Sequence, residues 1–409
     1  MNSFASVKFN SMSRLPLIVL ADDLTGAAEI AAIAHNAGLR AVVYTTPPNA
    51  HPVDADVLIF DTDTRLSPPA QAARRVRGFV NRLKKLPHAG LFKKTDSVLR
   101  GPVLAELAAC ASALGRKRTL LVPCNPSLGR IIRDGRYLIA GKPLHTTAFA
   151  RDPHHPRATS IVLTLLGDEK KFNVTCHPPS SRLPRTGIIV GEATSPADVT
   201  VWAGQVDANT LPAGGADFFR VWLQTRRAYR EPSRLYRLPE GAVFLINGTI
   251  AAPEPISPFP VDLVGVGARR PSSVKRLVAR IQPQLFSKGF AAVTTQGPVV
   301  RKTLASTTLT RTFVGLAKEL HAAGAFRHLL VAGGATAAGV LHKLKWSQFE
   351  VVHVWGPGVV TLQPTAAPEF AVTMKPGSYP WPASLSRELD PAQASSLHEQ
   401  PSPRFAHAG

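Results

Sequence analysis

Residues 17–29 read LIVLADDLTGAAE, an apolar run that ends in two carboxylates and continues into a turn with a hydroxyl and a glycine. An apolar run of this kind predicts a buried strand, with Asp22 and Asp23 at its carboxyl end. Thr25 and Gly26 would then open the next helix. Open α/β sheets bind ligands beyond the carboxyl ends of their strands. The stretch therefore predicts a parallel sheet and also the edge of that sheet where a site lies.

Two further stretches have the same design. Residues 57–65 read VLIFDTDTR, and residues 89–101 read AGLFKKTDSVLRG. We expect their carboxylates, lysines and arginines to reach the same edge as those of residues 17–29. Arginine grips a carboxylate with two hydrogen bonds and aspartate accepts from hydroxyl groups, which favours a small, polyhydroxylated, anionic ligand. The alternative is that each stretch only caps a helix, since Asp, Ser and Thr favour such positions whatever the function.

The later part of the chain carries glycine-containing turns after apolar runs. Residues 328–341 read HLLVAGGATAAGVL, which predicts a strand, a glycine pair and a helix. Residues 242–250 (AVFLINGTI) and 374–379 (MKPGSY) place small residues at further strand ends. A helix start after glycines presents backbone N–H groups and the helix dipole to a phosphate. The glycine spacing is neither that of the Walker P-loop nor that of the full Rossmann pattern, and glycine pairs also occur in ordinary tight turns.

Strand-like and helix-like segments alternate along all 409 residues. The other strand-like runs are residues 41–44, 120–122, 160–165 and 188–190. This alternation predicts an α/β protein of two domains, each a mostly parallel sheet flanked by helices, with the active site in the cleft between them. The Arg- and Pro-rich segment 230–240 predicts the boundary between the domains.

The chain is strongly basic, with a formal net charge of +21. Its Lys and Arg residues are dispersed, which is typical of a solvated face, and their excess attracts anionic ligands. Nucleic-acid binding ranks last among the alternatives, because zinc-finger spacing, an aromatic RNA-binding signature and a basic heptad helix are all missing. The three cysteines are too scattered for a disulfide framework, and no stretch is long and apolar enough for a bilayer. These features predict a cytoplasmic protein that does not bind membranes.

Taken together, the motifs resemble the four-carbon acid sugar kinases, ATP-dependent enzymes that phosphorylate threonate- and erythronate-like sugar acids. The resemblance extends over most of residues 15–385, and its segments are 21–27, 61–65, 94–101, 122–144, 149–153, 333–337 and 375–379. The chain departs from the family pattern at Ala335, where many relatives have an acidic residue. It departs again in the loop Lys375-Pro376-Gly377-Ser378-Tyr379, whose commoner form is Lys-Ser-Gly-Asn-Phe-Gly, and at Asn125, where small or aromatic residues are common.

The resemblance implies roles for particular residues. The implied sugar-acid ligands are Asp22, Asp23, Arg65, Lys94, Asp96, Ser97 and Arg100. The implied nucleotide contacts are Gly248, Thr249, Gly333, Gly334, Ala335, Thr336, Gly377 and Ser378. Asp96 is the first candidate for orienting or deprotonating the attacking hydroxyl, and Asp23 is the second. Arg65 and Arg100 would clamp the carboxylate of the acid, and Lys94 would offset charge on the transferred phosphoryl group.

Cofactors, domains and partners are predicted as well. ATP and Mg²⁺ are the expected cofactors, with no dedicated metal-ligand set in the chain. The predicted domains are a sugar-acid-binding domain over residues 15–235 and a nucleotide-binding domain over residues 241–385, between disordered tails at 1–14 and 388–409. A homodimer is possible. The alternative function is a non-catalytic sensor that binds a sugar acid but has lost ATP turnover.

Overall fold

The computed structural model describes residues 15–47, 53–152, 154–167, 169–230, 236–248, 263–267, 273–296, 303–377 and 379–389. The predicted tails at 1–14 and 388–409 lie outside these ranges, apart from residues 388 and 389. Within the described residues, no helix is both long enough and apolar enough to cross a membrane.

The strands of the N-terminal half are β1 (Leu17–Ala21), β2 (Ala41–Tyr44), β3 (Val57–Asp61), β4 (Gly90–Lys94), β5 (Arg118–Val122), β6 (Arg130–Arg133), β7 (Arg136–Ile139), β8 (Lys142–Pro143), β9 (Val174–His177), β10 (Gly187–Gly191) and β11 (Thr210–Gly214). Those of the C-terminal half are β12 (Val243–Asn247), β13 (Leu263–Gly267), β14 (Phe290–Gln296), β15 (His328–Ala332), β16 (Gln348–Gly356), β17 (Val359–Pro364) and β18 (Ala371–Lys375).

The helices of the N-terminal half are α1 (Leu24–Asn36), α2 (Pro69–Leu83), α3 (Val103–Ala113), α4 (Val162–Leu166), α5 (Glu169–Phe172), α6 (Pro196–Gly204) and α7 (Ala216–Gln224). Those of the C-terminal half are α8 (Val274–Lys288), α9 (Thr303–Ala322), α10 (Gly334–Lys343) and α11 (Ala383–Glu388). Short 3₁₀ turns lie at Pro126–Leu128, Leu144–Thr146 and Ala148–Arg151.

Among the described residues, fifteen strands form one sheet in the order β13-β14-β12-β15-β18-β17-β16-β2-β3-β1-β4-β11-β5-β10-β9. The strands from β2 to β9 in this order are parallel, and so are those from β13 to β18. The α/β class predicted from the sequence is confirmed. In each parallel part the chain order reverses beside one strand, β1 in the first half and β12 in the second, and this is where such sheets bind ligands.

The two parallel parts are joined edge to edge, which the sequence did not predict. Strand β16 pairs antiparallel with β2 on one side and with β17 on the other. Arg40, just before β2, forms an ion pair with Glu350 of β16 across this junction. One hydrophobic cluster also contains buried residues from both halves, from Leu17 to Met374. The halves therefore share one core as well as one sheet.

Strand β1 is buried at all five positions because helices cover both faces of the sheet. Leu17 and Val19 belong to the core that includes α1, whereas Ile18 and Leu20 pack with α2. On α2 the buried residues recur at helical spacing, namely Ala72, Val76, Phe79, Val80 and Leu83. Its arginines point to solvent, as the dispersed charge predicted.

One predicted strand is wrong. Residues 160–165 were expected to extend as an apolar strand, but they lead into the short helix α4, which ends at Leu166 before Gly167 with φ 65°. The sheet position beside β10 is taken by β9 instead. A short apolar run does not by itself distinguish a strand from a buried helical turn.

Candidate active site

Arg65 brings the first two predicted stretches together. It stands after β3 and donates from Nε and Nη2 to the two carboxylate oxygens of Asp22, at 2.8 and 2.9 Å. Its Nη1 contacts Asp23. Asp22 and Asp23 follow β1, the neighbour of β3 in the sheet. The carboxyl ends of β1 and β3 are therefore linked by a two-pronged ion pair of the strong, directional type.

The third stretch is held by a second arginine–carboxylate pair. Arg100 donates from Nη2 and Nε to the two oxygens of Asp96, at 2.8 and 2.9 Å, and its backbone N–H donates to Asp96 at 3.0 Å. Arg100 Nη1 also reaches Asp152 at 2.9 Å. Arg65 Nη1 lies 3.8 Å from Asp96 Oδ1, so the two pairs form one network.

These pairs decide the charge states of the buried carboxylates. Burial opposes ionisation of Asp96, but the charges of Arg100 and Arg65 outweigh it and hold the pKa of Asp96 well below its usual range. Asp22 behaves in the same way, since Arg65 lowers its pKa against the effect of burial. Both groups are thus anionic at neutral pH. They are tightly bound acceptors rather than strong bases.

Asp61 is the opposite case. This carboxyl group is buried, its Oδ1 accepts from the backbone N–H of Asp63 at 2.7 Å, and no arginine pairs with it among the described residues. Burial, together with the negative charges of Asp23 and Asp63, raises its pKa well above the ordinary value. Asp61 therefore retains its proton to a higher pH than an ordinary aspartate does.

Lys94 lies at the end of β4 and forms an ion pair with Glu29 of α1, with Nζ 3.1 Å from Oε2. Burial disfavours its charge, but Glu29 and Asp22 raise the pKa of Lys94. Lys93 points the other way and pairs with Glu106 at 2.7 Å in the core below the site. The ion pairs of Arg65, Arg100 and Lys94 thus border the site, and the fully buried pair Lys93–Glu106 lies beneath them.

The glycine pair of the C-terminal half directly borders this network. Gly333 has φ 105°, and helix α10 begins at Gly334. The backbone N–H groups of Gly334, Ala335 and Thr336 have no acceptor in the described part of the chain, as is usual for the first turn of a helix. A Cβ atom on Gly334 would lie 2.8 Å from Thr25 Cγ2 and 3.5 Å from Asp23 Oδ2. An anion held by this helix start would therefore lie beside Asp23.

Gly248, at the end of β12, packs against the same helix start. Its N–H donates to the carbonyl of Ala332 at 3.0 Å, and a Cβ here would lie 2.1 Å from Thr336 Oγ1. The N–H of Gly333 donates to the carbonyl of Lys375 at 3.0 Å, and Gly377 follows Lys375 by two residues. Thr249 and Ser378 lie outside the described residues. The predicted nucleotide residues that are described thus come from three neighbouring strand ends.

Four residues that approach the site were not among the predicted ligands. Glu29 and Asp152 pair with Lys94 and Arg100 as described above. Arg130, the first residue of β6, donates from Nη1 to Ser97 Oγ at 2.7 Å. Tyr379, in the loop after β18, has Arg130, Glu29 and Lys94 as its charged neighbours. The motif around Arg130 was visible in the sequence, but its approach to Ser97 was not, because 33 positions separate them.

The described side chains do not form a metal cage. Among the described residues there is no group of three or more His, Cys, Asp and Glu side chains that could hold a metal ion. The donor set therefore does not fit a Mg²⁺ ion bound mainly by protein.

Comparison with known proteins assigns the two halves. The family model of a sugar-binding N-terminal domain matches residues 17–198, and that of a nucleotide-binding C-terminal domain matches residues 257–379. The chain belongs to the four-carbon acid sugar kinase family. The recognition made from its motifs is confirmed, while the domain boundaries and the site residues stay predictions.

Two relatives show how the similarity is distributed in this kinase family. A D-threonate kinase of Salmonella typhimurium is 30% identical over 203 residues, which are 46% of this chain and 48% of the relative. The chain thus spans about half the length of that relative. A 3-oxo-tetronate kinase of Brucella melitensis is 24% identical over 408 residues, covering 88% of this chain and 92% of the relative. The similarity is stronger over part of the chain than over the whole of it.

A solved structure shares the fold of this family member. The structure of a Salmonella typhimurium protein, provisionally described as a tRNA synthase, superposes with a TM-score of 0.73 at 20% identity. It covers 92% of this chain and 99% of the other. At that level of identity the likeness concerns the fold alone.

Proposed function

We propose that this protein is an ATP-dependent kinase that transfers the γ-phosphoryl group to a hydroxyl of a small, four-carbon sugar acid. One observation carries the proposal: Gly334, at the start of α10, lies against Thr25 and Asp23 of the acid side. Phosphoryl transfer requires the attacking hydroxyl and the phosphorus to meet in line, so the nucleotide and acid sites must adjoin. The names of the relatives, kinases of threonate, erythronate and 3-oxo-tetronate, support this substrate class.

The geometry favours Asp23 over Asp96 as the group that orients the attacking hydroxyl. Asp96 is 4% exposed, and both of its oxygens accept from Arg100. Both oxygens of Asp23 also accept, Oδ1 from the N–H of Gly26 and Oδ2 from Thr25 and Arg65, but this side chain is 20% exposed and borders Gly334. In this proposal the free N–H groups of α10 bind the phosphate oxygens and Lys94 neutralises developing charge. Mg²⁺ would arrive with the phosphates of ATP, and no step is assigned to a metal held by the protein.

The test is ADP formation from magnesium-ATP with D-threonate, D-erythronate and related four-carbon acids. We expect turnover with at least one acid and a fall in kcat of roughly 10²- to 10⁴-fold in Asp23→Asn, the usual cost of losing a group that moves or orients a proton. Exposed Asp54→Asn is the matched control and should keep full activity.

Two results would count against the kinase. Absence of turnover with every acid, together with no thermal stabilisation by ATP, would refute it. Stabilisation by a sugar acid alone would instead support the sensor. Full activity in Asp23→Asn would refute only the role of that residue.

A further inference from the structure

A sugar acid needs a cation for its carboxylate, and the cations predicted for that role are already paired. Arg65 uses Nε, Nη1 and Nη2 on Asp22 and Asp23, and Arg100 uses the same three groups on Asp96 and Asp152. Turning either guanidinium toward a ligand would leave a buried carboxylate without its partner, which is strongly unfavourable. Three of the five N–H groups of each guanidinium therefore already donate to carboxylates.

Arg130 is different. Its side chain is half-buried, it donates to the neutral Ser97 hydroxyl at 2.7 Å, and it forms no ion pair with a carboxylate of the described residues. Its guanidinium lies 5.7 Å from the centre of the Phe149 ring, while Arg100 lies 5.6 Å from the same ring. An aromatic face orients a guanidinium without consuming its N–H donors. Arg130 is thus held in place with donors to spare.

Tyr379 approaches Arg130 from the C-terminal half. Arg130, Glu29 and Lys94 are the charged groups around the Tyr379 hydroxyl, and burial raises the pKa of that hydroxyl. The Tyr379 ring is seated on Gly358, where a Cβ would lie only 2.7 Å from Cε2. The backbone N–H of Tyr379 donates to the carbonyl of Pro376 at 3.2 Å. The loop that contains Gly377 therefore also places Tyr379 among charged groups of the acid side.

We propose that Arg130 is the residue that binds the carboxylate of the substrate, and that Tyr379 positions Arg130 from the nucleotide half. The inference rests on the proposed function and names its acid anchor. Its consequence is specificity for an ionised acid: a neutral polyol of the same length offers no charge for Arg130. A second consequence is that acid binding and nucleotide binding are coupled, because the loop that carries Tyr379 also carries Gly377.

The experiment compares Arg130→Gln, Arg130→Lys and Tyr379→Phe with wild type. Arg133→Gln is the matched control, since Arg133 is exposed on the same strand β6. Binding of D-threonate and D-erythronate is measured by calorimetry without ATP, and ADP formation is measured in parallel with both acids and with the neutral polyol erythritol. ATP affinity is measured for every variant.

We expect Arg130→Gln to weaken acid binding roughly 10- to 100-fold, as for a lost charge-assisted pair, while ATP affinity changes less than about threefold. Arg130→Lys should recover part of the affinity, since it keeps the charge but not the fork. Tyr379→Phe should raise KM for the acid several-fold more than it changes kcat. Wild type should strongly prefer the acids to erythritol, and Arg130→Gln should lose that preference.

The outcomes separate this inference from the proposed kinase. Acid binding that is lost in Arg130→Gln, with neither ADP formation nor stabilisation by ATP in wild type, would support the anchor and refute the kinase. Normal ADP formation with undiminished acid affinity in Arg130→Gln and Arg130→Lys would refute the anchor alone. If Arg130→Gln does not fold, Arg130→Lys and Tyr379→Phe decide the question, and unchanged KM for the acid in both would refute it.

Discussion

Gly334 approaches Thr25 so closely that a Cβ at position 334 would lie 2.8 Å from Thr25 Cγ2. These residues belong to different halves of the chain, one at the start of α10 and the other in the first turn of α1. Asp23 caps α1 by accepting from the N–H of Gly26 at 2.7 Å and is 3.5 Å from the same hypothetical Cβ. Two helix starts thus meet where the proposed reaction occurs.

The first prediction concerns this contact. Gly334→Ala should lower kcat/KM for ATP roughly 10- to 100-fold, because the added methyl must displace Thr25 or the helix start that binds phosphate. Steady-state kinetics with saturating acid measures the effect. Gly78→Ala is the control, since Gly78 lies in α2 with no atom within 4 Å of the added Cβ, and it should keep activity with slightly higher stability. Equal activity of the two variants would contradict the close approach.

The second prediction concerns the buried pair Lys93–Glu106. Lys93→Met should lower the free energy of unfolding by about 3–5 kcal/mol, because it leaves a buried carboxylate unpaired. Adding Glu106→Leu should restore most of that loss. Urea denaturation of the single and double variants measures it. In the exposed pair Lys318–Glu319, the change Lys318→Met should cost no more than about 1 kcal/mol. A double variant no more stable than Lys93→Met would contradict the prediction.

The third prediction concerns Asp61. Because its folded pKa is raised, the unfolded chain loses this proton first as pH rises, and stability falls from about pH 4 up to the folded pKa. Asp61→Asn keeps an oxygen for the N–H of Asp63 but removes the ionisation. It should therefore raise Tm by a few degrees at pH 7, with the gain vanishing near pH 3. Exposed Asp54→Asn is the control. A lower Tm than wild type at pH 7 would contradict the assignment.

The fourth prediction concerns Lys375. Burial lowers the pKa of this lysine from 10.5 to about 8, and its ammonium group donates to the carbonyls of Pro376 and Tyr379. Between pH 8 and 10.5 the folded protein gives up this proton before the unfolded chain, so stability should rise with pH in that window.

Affinity for ATP should fall as the pH rises, whereas stability increases. Loss of the ammonium charge weakens the hold on the loop and the attraction for phosphate, so KM for ATP should increase several-fold between pH 7 and 9. Lys375→Arg should remove this pH dependence, because arginine stays charged. Kinetics across that range, beside Lys318→Met as a control, measures it. A flat profile for wild type would contradict the role of Lys375.

Local patterns predicted much of this molecule. Apolar runs and turn residues predicted the strands β1, β3 and β4 and the polar stretches after them. Within each stretch these residues lie within about ten positions of one another. The failure at residues 160–165 is of the same local kind, because a short apolar run is compatible with either a strand or a helical turn. The glycine pair before α10 was also predictable from the local sequence, but its neighbours in space were not.

The partners of the site residues were not predictable in this way. Arg65 and Arg100 were predicted to hold a ligand, and in the structure three nitrogens of each guanidinium donate to the carboxylates of Asp22, Asp23, Asp96 and Asp152. The sequence offers many carboxylates at comparable distances along the chain, and only the strand order decides which of them are adjacent. Arg130 and Tyr379 are neighbours from different halves of the chain, and this proximity has no local signature.

The sequence by itself determined the α/β class, the edge of the sheet that carries polar residues and the phosphate-type helix start, since each depends on neighbouring residues. Tertiary structure alone decided that β2 and β16 join the two parallel parts of the sheet, that Gly334 meets Thr25, and that Arg65 is paired with two carboxylates while Arg130 donates to Ser97. The physical reason is that ion pairs and close backbone contacts depend on distances in space. Those distances are set by the packing of strands and helices from both halves into one core.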